Sequence, residues 1–326
     1  MIVFLTLLVL LFMALLTACQ TVSTESTAQA AIPSQAPFRI EVSPTPSPFF
    51  PSPTATLSPS PTATPSTVRF AVLGDYGQDG PGLAAVAALI EAWKVDLILT
   101  VGDNNYPVGA AETIDANIGK YFHRYIFPYR GTYGEGGEVN RFFPTLGNHD
   151  WMSQDARPYF EYFTLPGNER YYDFTWGPVH FFALDSDPRE PDGVGSRSLQ
   201  AKWLQERLAE SESPWQVVYF HHAPYSSGSN GSTAWMRWPF ADWGADVVFS
   251  GHDHVYERLQ VDGIPYFIVG LGGGGRYHFG EALPESQFRF NAAYGALLGM
   301  ADATELVLEF YTVSGERMDG YRLRKP

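Results

Sequence analysis

Five short motifs, each following an apolar stretch, carry aspartate, asparagine, histidine and tyrosine side chains that could bind metal ions. In chain order they are Gly74-Asp75-Tyr76-Gly77, Gly102-Asp103-Asn104-Asn105-Tyr106, Gly147-Asn148-His149-Asp150, Val218-Tyr219-Phe220-His221-His222 and Gly251-His252-Asp253-His254. Oxygen and imidazole ligands suit iron, zinc or manganese ions. Of the 8 histidines in the chain, five lie in these motifs. The pattern therefore predicts that the motifs meet at one metal-binding site.

The apolar stretches before the motifs are predicted to be β-strands, and the first two indicate where the motifs meet. The spacing predicts strands over 68–73 and 96–101, joined by a helix over 82–94 with apolar residues at helical intervals. Such a strand–helix–strand unit forms a parallel pair with a right-handed crossover. Ligands of open α/β sheets bind beyond the carboxyl ends of these strands, which is where Asp75 and Asp103 lie.

The rest of the chain is predicted to supply further strands and two more helices. Helices are expected over 112–127 and 198–209. Strands are expected over 142–146, 171–175, 179–184, 215–220, 246–249, 256–260, 265–271, 295–300, 305–313 and 317–324. The last five segments alternate and turn like an antiparallel sheet. The predicted fold class is α/β (α+β), with two packed, mixed β-sheets flanked by helices.

Each motif also has an ordinary structural explanation. Asp75 or Asp103 alone could stabilise a turn, as aspartates often do, and His149 alone could be a surface histidine. The joint occurrence of the motifs favours a metal site, because clusters of this type at strand ends seldom follow from packing needs. The glycine run over 272–275 is interpreted as a close turn near this site, since it lacks the Lys-Ser/Thr of a nucleotide-binding loop.

The N-terminal residues resemble an export signal. Residues 2–18 are almost all apolar, and Leu16-Thr17-Ala18-Cys19 resembles a bacterial lipobox, in which Cys19 becomes the lipidated first residue. Cys19 is also the only cysteine of the chain. We therefore expect a lipoprotein signal peptide over 1–19 and a mature protein anchored to the outer face of a bacterial cell membrane. A secreted protein and a single N-terminal transmembrane anchor are the alternatives.

Composition divides the remainder of the chain into two parts. Residues 20–67 contain 10 Pro, 9 Ser and 9 Thr and cannot bury enough apolar surface to fold, so a disordered linker is expected. Residues 68–326 are expected to form one domain. This domain has 20 basic and 33 acidic residues, and the resulting net charge of −13 argues against a nucleic-acid partner. Contact with the membrane is expected through the N-terminal anchor only.

The order of the five motifs resembles the calcineurin-like metallophosphoesterases, and within them the small, single-domain purple acid phosphatases. The superfamily pattern begins with Asp-x-His, whereas Gly77 occupies the third place here. Tyr106 follows Asp103 at the position of the family's metal-binding tyrosine. The resemblance covers about residues 68–326. It implies a dinuclear metal centre of Fe(III) with Fe(II), Zn(II) or Mn(II).

The resemblance also implies the metal ligands and the activity. The implied ligands are Asp75, Asp103, Tyr106 and His254 for the first ion, and Asp103, Asn148, His221 and His252 for the second. Asp103 would bridge the two ions. The implied protein is an exported phosphatase that hydrolyses small phosphate monoesters by attack of a metal-bound hydroxide. The alternatives are a phosphodiesterase or nucleotide pyrophosphatase on the same scaffold, and a non-catalytic surface binding module.

Three further residues are expected to act on the substrate side. His149 is expected to contact the phosphate or to protonate the leaving group, and Asp150 is expected to orient His149. The family usually has another substrate-side histidine where this chain has Asn230. His222 could take that role, or it could face the core or hydrogen-bond a ligand.

Overall fold

Two mixed β-sheets form the framework of the protein. The computed structural model describes residues 66–325. The signal peptide expected over 1–19 and nearly all of the linker expected over 20–67 lie outside the described residues. Within 66–325, no helix is both long enough and apolar enough to cross a membrane.

Strands and helices alternate in the first part of this region, and strands dominate the second. The strands are β1 (Val68–Leu73), β2 (Leu97–Thr100), β3 (Phe142–Pro144), β4 (Tyr172–Trp176), β5 (Val179–Ala183), β6 (Trp215–His222), β7 (Val247–Gly251), β8 (Tyr256–Val261), β9 (Ile264–Val269), β10 (Ser286–Phe290), β11 (Gly295–Ala301), β12 (Glu305–Thr312) and β13 (Arg317–Arg324). The α-helices are α1 (Pro81–Trp93), α2 (Ala111–Ile114), α3 (Lys120–Phe122), α4 (Arg157–Tyr162) and α5 (Leu199–Ala209). Of these, α4 and β10 lie where the sequence predicts no element.

The first sheet contains six strands in the order β13-β12-β11-β1-β2-β3. Its strands β1, β2 and β3 are parallel. β11 pairs antiparallel with β1, and β12 and β13 follow by antiparallel pairing. The carboxyl ends of β1, β2 and β3 therefore lie along the same edge, as the sequence predicts for the first two.

The second sheet contains seven strands in the order β10-β8-β9-β7-β6-β5-β4. The central strands β9, β7, β6 and β5 are parallel, and β10, β8 and β4 are antiparallel to their neighbours. The predicted antiparallel tail is therefore divided, since β8 to β10 join this sheet and β11 to β13 extend the first. The fold class of two packed, mixed sheets flanked by helices is confirmed.

Aromatic side chains fill the space between the two sheets. Phe70 of β1 contacts Phe181 of β5 edge-on, with ring centroids 5.3 Å apart. Tyr256 of β8 stacks on Phe310 of β12 at 4.0 Å. Such pairs contribute about 0.5–1.5 kcal/mol each beyond their burial. This packing fixes the two sheets against each other and holds their strand ends in place.

The two longer helices cover the sheets as the sequence predicts. α1 begins with Pro81, a residue suited to the first turn of a helix. α5 begins after Ser198, whose side chain accepts a hydrogen bond from the Ala201 backbone N–H at 3.1 Å. Its buried residue Leu204 belongs to the apolar cluster on the outer side of the second sheet.

The helix predicted over 112–127 is confirmed as a continuous helical segment over 111–125, but its geometry changes along its length. α2 passes into a π-helical turn over Asp115–Gly119, and α3 ends in a 3₁₀ turn at Tyr125. The Asp115 carboxylate accepts hydrogen bonds from the Tyr129 and Tyr162 hydroxyls at 2.6 and 2.8 Å. These contacts with later residues compete with regular helical geometry, and wide turns of this kind often occur at functional sites.

Candidate metal centre

The carboxyl ends of five parallel strands, three from one sheet and two from the other, deliver the candidate ligands to one place. β1 leads to Asp75, β2 to Asp103 and β3 to Asn148. In the second sheet, β6 ends at His221 and His222, and β7 leads to His252 and His254. The seven residues that the sequence predicts as metal ligands are all brought together.

The first group of ligand atoms surrounds Tyr106. Asp75, Asp103 and His254 each offer an atom within 4.8 Å of the other two. The Tyr106 hydroxyl lies 3.1 Å from Asp103 Oδ2 and 3.1 Å from His254 Nε2. His254 Nε2 is 3.4 Å from Asp75 Oδ1. Four donor atoms of the types expected for a hard or borderline cation therefore face one point.

The second group surrounds His221. Its Nε2 atom lies 3.1 Å from Asn148 Oδ1, 3.3 Å from His252 Nδ1 and 3.5 Å from Asp103 Oδ1. Ligand atoms about 2.1 Å from a shared ion stand roughly 3.0–3.4 Å apart. The two oxygens of Asp103 face different groups, Oδ2 toward Tyr106 and Oδ1 toward His221. The arrangement fits two cations bridged by Asp103.

Electrostatics also favour cations at this position. Asp75 and Asp103 are 0 % and 2 % exposed, and neither forms an ion pair with Lys or Arg among residues 66–325. Burial, followed by the negative charge of Asp103, raises the pKa of Asp75 well above its ordinary value. Burial and then His221 lower the pKa of His252 to about 3. The imidazole of His252 is therefore neutral, as metal binding requires, and a cation would relieve the repulsion between the two buried carboxylates.

Backbone carbonyls orient two of the imidazoles. His221 Nδ1 lies 2.8 Å from the Val101 carbonyl oxygen, and His254 Nδ1 lies 2.7 Å from that of Gly275. A carbonyl can only accept, so Nδ1 carries the proton in both rings. The unprotonated Nε2 atoms then point into the site, as metal-bound histidines require.

The backbone at the ligands is held in conformations that non-glycine residues rarely adopt. Asp75, Asp103 and His252 have φ angles of 54°, 52° and 70°. Conformations of this kind cost about 1–3 kcal/mol each and are found most often at functional sites. Three of the seven candidate ligands therefore occupy positions that the surrounding structure must enforce.

Close backbone packing explains two glycine features of the motifs. A Cβ atom on Gly77 would lie 2.2 Å from the carbonyl carbon of Asn104, so no side chain fits at the third place of the first motif. The predicted close turn over 272–275 is also found. Gly274 donates to the Asp75 carbonyl oxygen at 2.9 Å, and a Cβ there would lie 2.6 Å from the same oxygen.

His149 lies beside the two groups and is partly exposed, with 31 % of its side chain accessible. Its backbone N–H donates to Asp103 Oδ1 at 3.0 Å. The ring Nδ1 donates to the Pro107 carbonyl oxygen at 2.6 Å, and Nε2 stands 3.9 Å from Asp103 Oδ2. The Nε2 atom is thus positioned at the edge of the site, outside direct contact with the carboxylate.

The expectation that Asp150 orients His149 is wrong in this structure. The Asp150 carboxylate accepts hydrogen bonds from the backbone and side-chain N–H groups of Asn104, at 3.1 and 2.8 Å. It accepts another from the Gly147 backbone at 2.9 Å. The ring of His149 is bound instead to Pro107. Asp150 therefore connects the motif that contains Asn104 to its own motif through hydrogen bonds.

His222 is buried behind the second group. Its Nδ1 lies 3.0 Å from Ser186 Oγ, and its ring centroid is 4.5 Å from that of His252. Burial lowers the pKa of His222 well below its ordinary value, so the ring is neutral. Asn230 is turned away from the centre and donates to the His252 carbonyl oxygen at 2.8 Å.

Three residues outside the predicted ligand and catalytic sets support the site. Buried Asn104 accepts from the Tyr76 hydroxyl at 3.0 Å and donates to Asp150. Arg189 donates to the Asn148 carbonyl oxygen at 3.0 Å. Tyr277 stacks on His254 at 4.0 Å with an interplanar angle of 5°. Asn104 lies within a motif and could have been identified from it, whereas Arg189 follows no recognisable pattern.

These elements and this centre define a metallophosphoesterase. The chain belongs to the calcineurin-like phosphoesterase family, whose sequence model matches residues 68–256. Its relatives include purple acid phosphatase 22 of Arabidopsis thaliana, 30 % identical over 210 residues that cover 60 % of this chain and 46 % of the relative. Another is tartrate-resistant acid phosphatase type 5 of Rattus norvegicus, 24 % identical over 255 residues, covering 65 % and 74 %. These relatives confirm the resemblance to purple acid phosphatases.

Solved structures share the fold. The yellow lupin (Lupinus luteus) purple acid phosphatase PPD1 superposes with a TM-score of 0.63 and 18 % identity, covering 79 % of this chain and 54 % of that one. GAP50, described as the anchor in the inner membrane complex of Plasmodium, gives a TM-score of 0.62 and 19 % identity, covering 79 % and 89 %. The chain spans about half the length of the plant relatives named here.

Proposed function

We propose that the protein is a dinuclear-metal phosphatase that hydrolyses small phosphate monoesters. The observation that carries the proposal is the position of Asp103, whose two carboxylate oxygens face two separate groups of ligand atoms. The names of the purple acid phosphatase relatives support the same reaction class.

The chain's own residues would hold the cations in two unequal positions. Asp75, Asp103, Tyr106 and His254 would bind the first, and Asp103, Asn148, His221 and His252 the second. When bound, the pair of cations supplies Lewis acidity toward the phosphoryl oxygens and lowers the pKa of water. The phenolate of Tyr106 suits Fe(III), and the neutral Asn148 suits a divalent partner, Fe(II), Zn(II) or Mn(II).

His149 would donate a proton to the leaving group. Hydrolysis breaks the ester P–O bond, water supplies the new oxygen on phosphorus, and the departing alkoxide needs a proton. The Pro107 carbonyl holds the Nδ1 proton of His149, so Nε2 is the atom that donates. A positioned acid of this kind contributes about 10²- to 10⁴-fold.

The test is the release of p-nitrophenol from p-nitrophenyl phosphate and from its bis-ester by metal-replete protein. The proposal expects the monoester to be hydrolysed faster. Hydrolysis of the bis-ester alone would instead identify a phosphodiesterase. Stoichiometric metal without hydrolysis of either ester would identify a binding module. In the same assay, Asp103→Ala removes the carboxylate that faces both groups of ligand atoms and should strongly reduce hydrolysis. Its control is Asp242→Ala, which changes an exposed aspartate at the surface.

We also propose that the mature protein is exported and held at the outer face of a bacterial membrane through Cys19. The support is the apolar run, the lipobox-like sequence and the Pro/Ser/Thr-rich segment that follows. Multiple acyl chains would anchor the protein stably. Cys19→Ala should release or mislocalise it in membrane fractionation. A Cys19→Ala protein that is processed and anchored like wild type would contradict the proposal.

A further inference from the structure

The loop that follows β5 lies at the same edge as the candidate metal centre, although it contributes no predicted ligand. β5 is parallel to its neighbour β6, the strand that ends at His221 and His222. Parallel neighbours place their carboxyl ends together, so the residues after β5 lie beside the second group of ligands. Residues 185–189 are called the β5 loop below.

The main chain of Asn148 is weakly held compared with that of another candidate ligand. The Asp75 backbone N–H donates to the Gly102 carbonyl oxygen at 3.1 Å. Asn148 instead lies in a turn beyond the end of β3. Within residues 66–325, no main-chain group forms a hydrogen bond with the main chain of Asn148. Its position must therefore be fixed in another way.

Arg189 of the β5 loop supplies a hydrogen bond to this main chain. Its Nη2 donates to the Asn148 carbonyl oxygen at 3.0 Å. The side-chain oxygen of the same asparagine, Oδ1, lies 3.1 Å from His221 Nε2. The arginine therefore holds the main chain of a residue whose side chain faces the second group of ligands.

The guanidinium of Arg189 is itself fixed by Asp187. Nε donates to Asp187 Oδ1 at 2.7 Å, and Nη2 donates to Oδ2 at 2.9 Å. Two such bonds to one carboxylate define the plane of a guanidinium as well as its distance. Asp187 is 2 % exposed, and its backbone N–H donates to Asp185 Oδ1 at 2.9 Å. Arg189 is thus preorganised, although 42 % of its side chain is exposed.

Two further hydrogen bonds attach the β5 loop to the loops that carry ligands. Asp185 Oδ2 accepts from Trp151 Nε1 at 2.9 Å, in the 3₁₀ turn that overlaps the end of the third motif. Ser186 Oγ accepts from the His222 backbone N–H at 2.8 Å, at the end of β6. The β5 loop therefore connects the ligand that follows β3 in the first sheet to the ligand on β6 in the second.

On the basis of the proposed two-metal site, we propose that Arg189 is a positioning residue for the second cation. Held by Asp187, it fixes the main chain of Asn148 so that the amide oxygen stays beside His221. Hydrogen-bond partners behind a ligand orient that ligand and tune how tightly the ion is held. Arg189 therefore sets the affinity of the second position without touching the ion or the substrate.

The test is the zinc retained by zinc-loaded, full-length protein in chelator buffers of decreasing free zinc, counted by elemental analysis. Arg189→Met removes the guanidinium and keeps a long side chain. One ion should then leave at a free-zinc concentration about 10- to 100-fold higher than in wild type, the usual cost of losing such a partner. The other ion should leave as in wild type, which also shows that the variant is folded. Unchanged release of both ions would overturn the proposal.

A double-mutant cycle shows whether the arginine acts through Asn148. Asn148→Ala removes the ligand oxygen, so it should weaken the binding of the same ion. Adding Arg189→Met to Asn148→Ala should cost little more, because no side-chain ligand remains to be positioned. Fully additive losses would show that Arg189 acts by another route, and the positioning role would then be wrong.

A second variant and a matched control complete the set. Asp187→Asn keeps the arginine and removes the charge that fixes it, so it should weaken the same ion by less than Arg189→Met does. An effect of Asp187→Asn with none of Arg189→Met would contradict the proposal. Arg157→Met changes an exposed arginine that is paired with Glu161 at 2.6 Å, and it should leave the release of both ions unchanged.

Hydrolysis of p-nitrophenyl phosphate separates this role from the proposed function. Excess zinc should restore the kcat of Arg189→Met and leave its KM equal to that of wild type, since the arginine does not touch the substrate. A KM that stays raised at saturating zinc would make Arg189 a substrate contact instead. Zinc retention is measured without turnover, so shifted retention in a protein that hydrolyses no ester overturns only the phosphatase. Active protein with unshifted retention overturns only the role of Arg189.

Discussion

Four aspartates of the motifs are buried, and they fall into two pairs with opposite surroundings. Asp75 and Asp103 face histidine nitrogens and the Tyr106 hydroxyl. Asp150 and Asp253 are enclosed by hydrogen-bond donors from neighbouring loops. All four carboxylates occur in glycine-containing motifs at strand ends, so sequence position alone does not separate the pairs.

The second pair is enclosed by hydrogen-bond donors of the protein. Asp150 accepts from three N–H groups, two of Asn104 and one of Gly147. Asp253 accepts from the Ser226 hydroxyl at 2.5 Å and from the Asn230 backbone at 2.8 Å. Burial raises the pKa of both carboxyls, that of Asp150 to about 7, so it is the donors around them, and not their pKa, that set these residues apart from the first pair. These two residues connect loops.

The first pair is left with acceptor capacity directed at the candidate centre. Each of the two carboxylates receives one backbone N–H, from His252 in the case of Asp75 and from His149 in the case of Asp103. Their other near neighbours are imidazole nitrogens and a phenol. The comparison teaches that the hydrogen-bond partners of a buried carboxylate, rather than its motif, distinguish a metal ligand from a structural residue.

The largest effect should follow from Asp103→Ala, which removes the residue shared by the two ligand groups. Both ions should be lost or greatly weakened, and kcat/KM for p-nitrophenyl phosphate should fall by at least about 10³-fold, because the Lewis-acid contribution disappears. Elemental analysis and the phosphatase assay measure the two effects. Full metal content with near wild-type turnover would show that Asp103 is not a metal ligand.

His149→Ala should keep both metals and lower kcat by about 10²- to 10⁴-fold with substrates whose leaving groups are poor. His149 contributes only its backbone N–H to Asp103, and alanine retains that group. His123→Ala, which changes a histidine bound to the Gly119 carbonyl oxygen, is the control. Near wild-type turnover of a poor substrate would show that His149 does not supply the proton.

Asp150→Ala should act on stability more than on chemistry. It leaves buried N–H groups of Asn104 and Gly147 without their acceptor, so the free energy of unfolding should fall by about 2–4 kcal/mol. Urea denaturation measures this loss, with Asp242→Ala as the surface control. An unfolding free energy equal to that of wild type would show that Asp150 lacks the structural role that distinguishes the second pair from the first.

Tyr106→Phe should have the smallest effect on the protein as a whole. The ring is kept and three ligands of the first group remain, so folding should be unaffected and turnover should fall less than in His149→Ala. If the first ion is Fe(III), wild type should absorb visible light and the variant should lose that band, since phenylalanine cannot bind iron. A colourless wild type containing only zinc would rule out the Fe(III)–tyrosinate assignment.

The positions of the ligands could be predicted because they depend on a local rule. Asp75 and Asp103 follow neighbouring parallel strands of one sheet, and His221 and His252 follow neighbouring parallel strands of the other; within each sheet such strands place their carboxyl ends together, and the resemblance to a family supplied the remaining step, that the two sets meet. The exclusion of a side chain at Gly77 could not be predicted, because it depends on the backbone of Asn104 in another motif.

The failures all involve contacts between distant residues. Asp150 lies next to His149 in the sequence, yet it binds Asn104, 46 residues earlier. The helix predicted over 112–127 changes from α- to π-helical geometry at Asp115, whose carboxylate accepts hydrogen bonds from the Tyr129 and Tyr162 hydroxyls. Hairpin patterns indicated the pairing of the C-terminal strands with one another, but not which sheet each hairpin would extend.

The most direct test of the central claim is the metal content of wild type and four matched variants, Asp75→Asn, Asp103→Asn, Asp150→Asn and Asp253→Asn. Asparagine keeps the side-chain shape and removes the charge in each. Elemental analysis after saturation with iron and zinc should find about two ions per chain, the number that defines a two-metal phosphatase site, in wild type and in the Asp150 and Asp253 variants. The Asp75 and Asp103 variants should hold fewer. Metal loss that is equal at all four positions, or a wild type with fewer than two ions, would contradict the account.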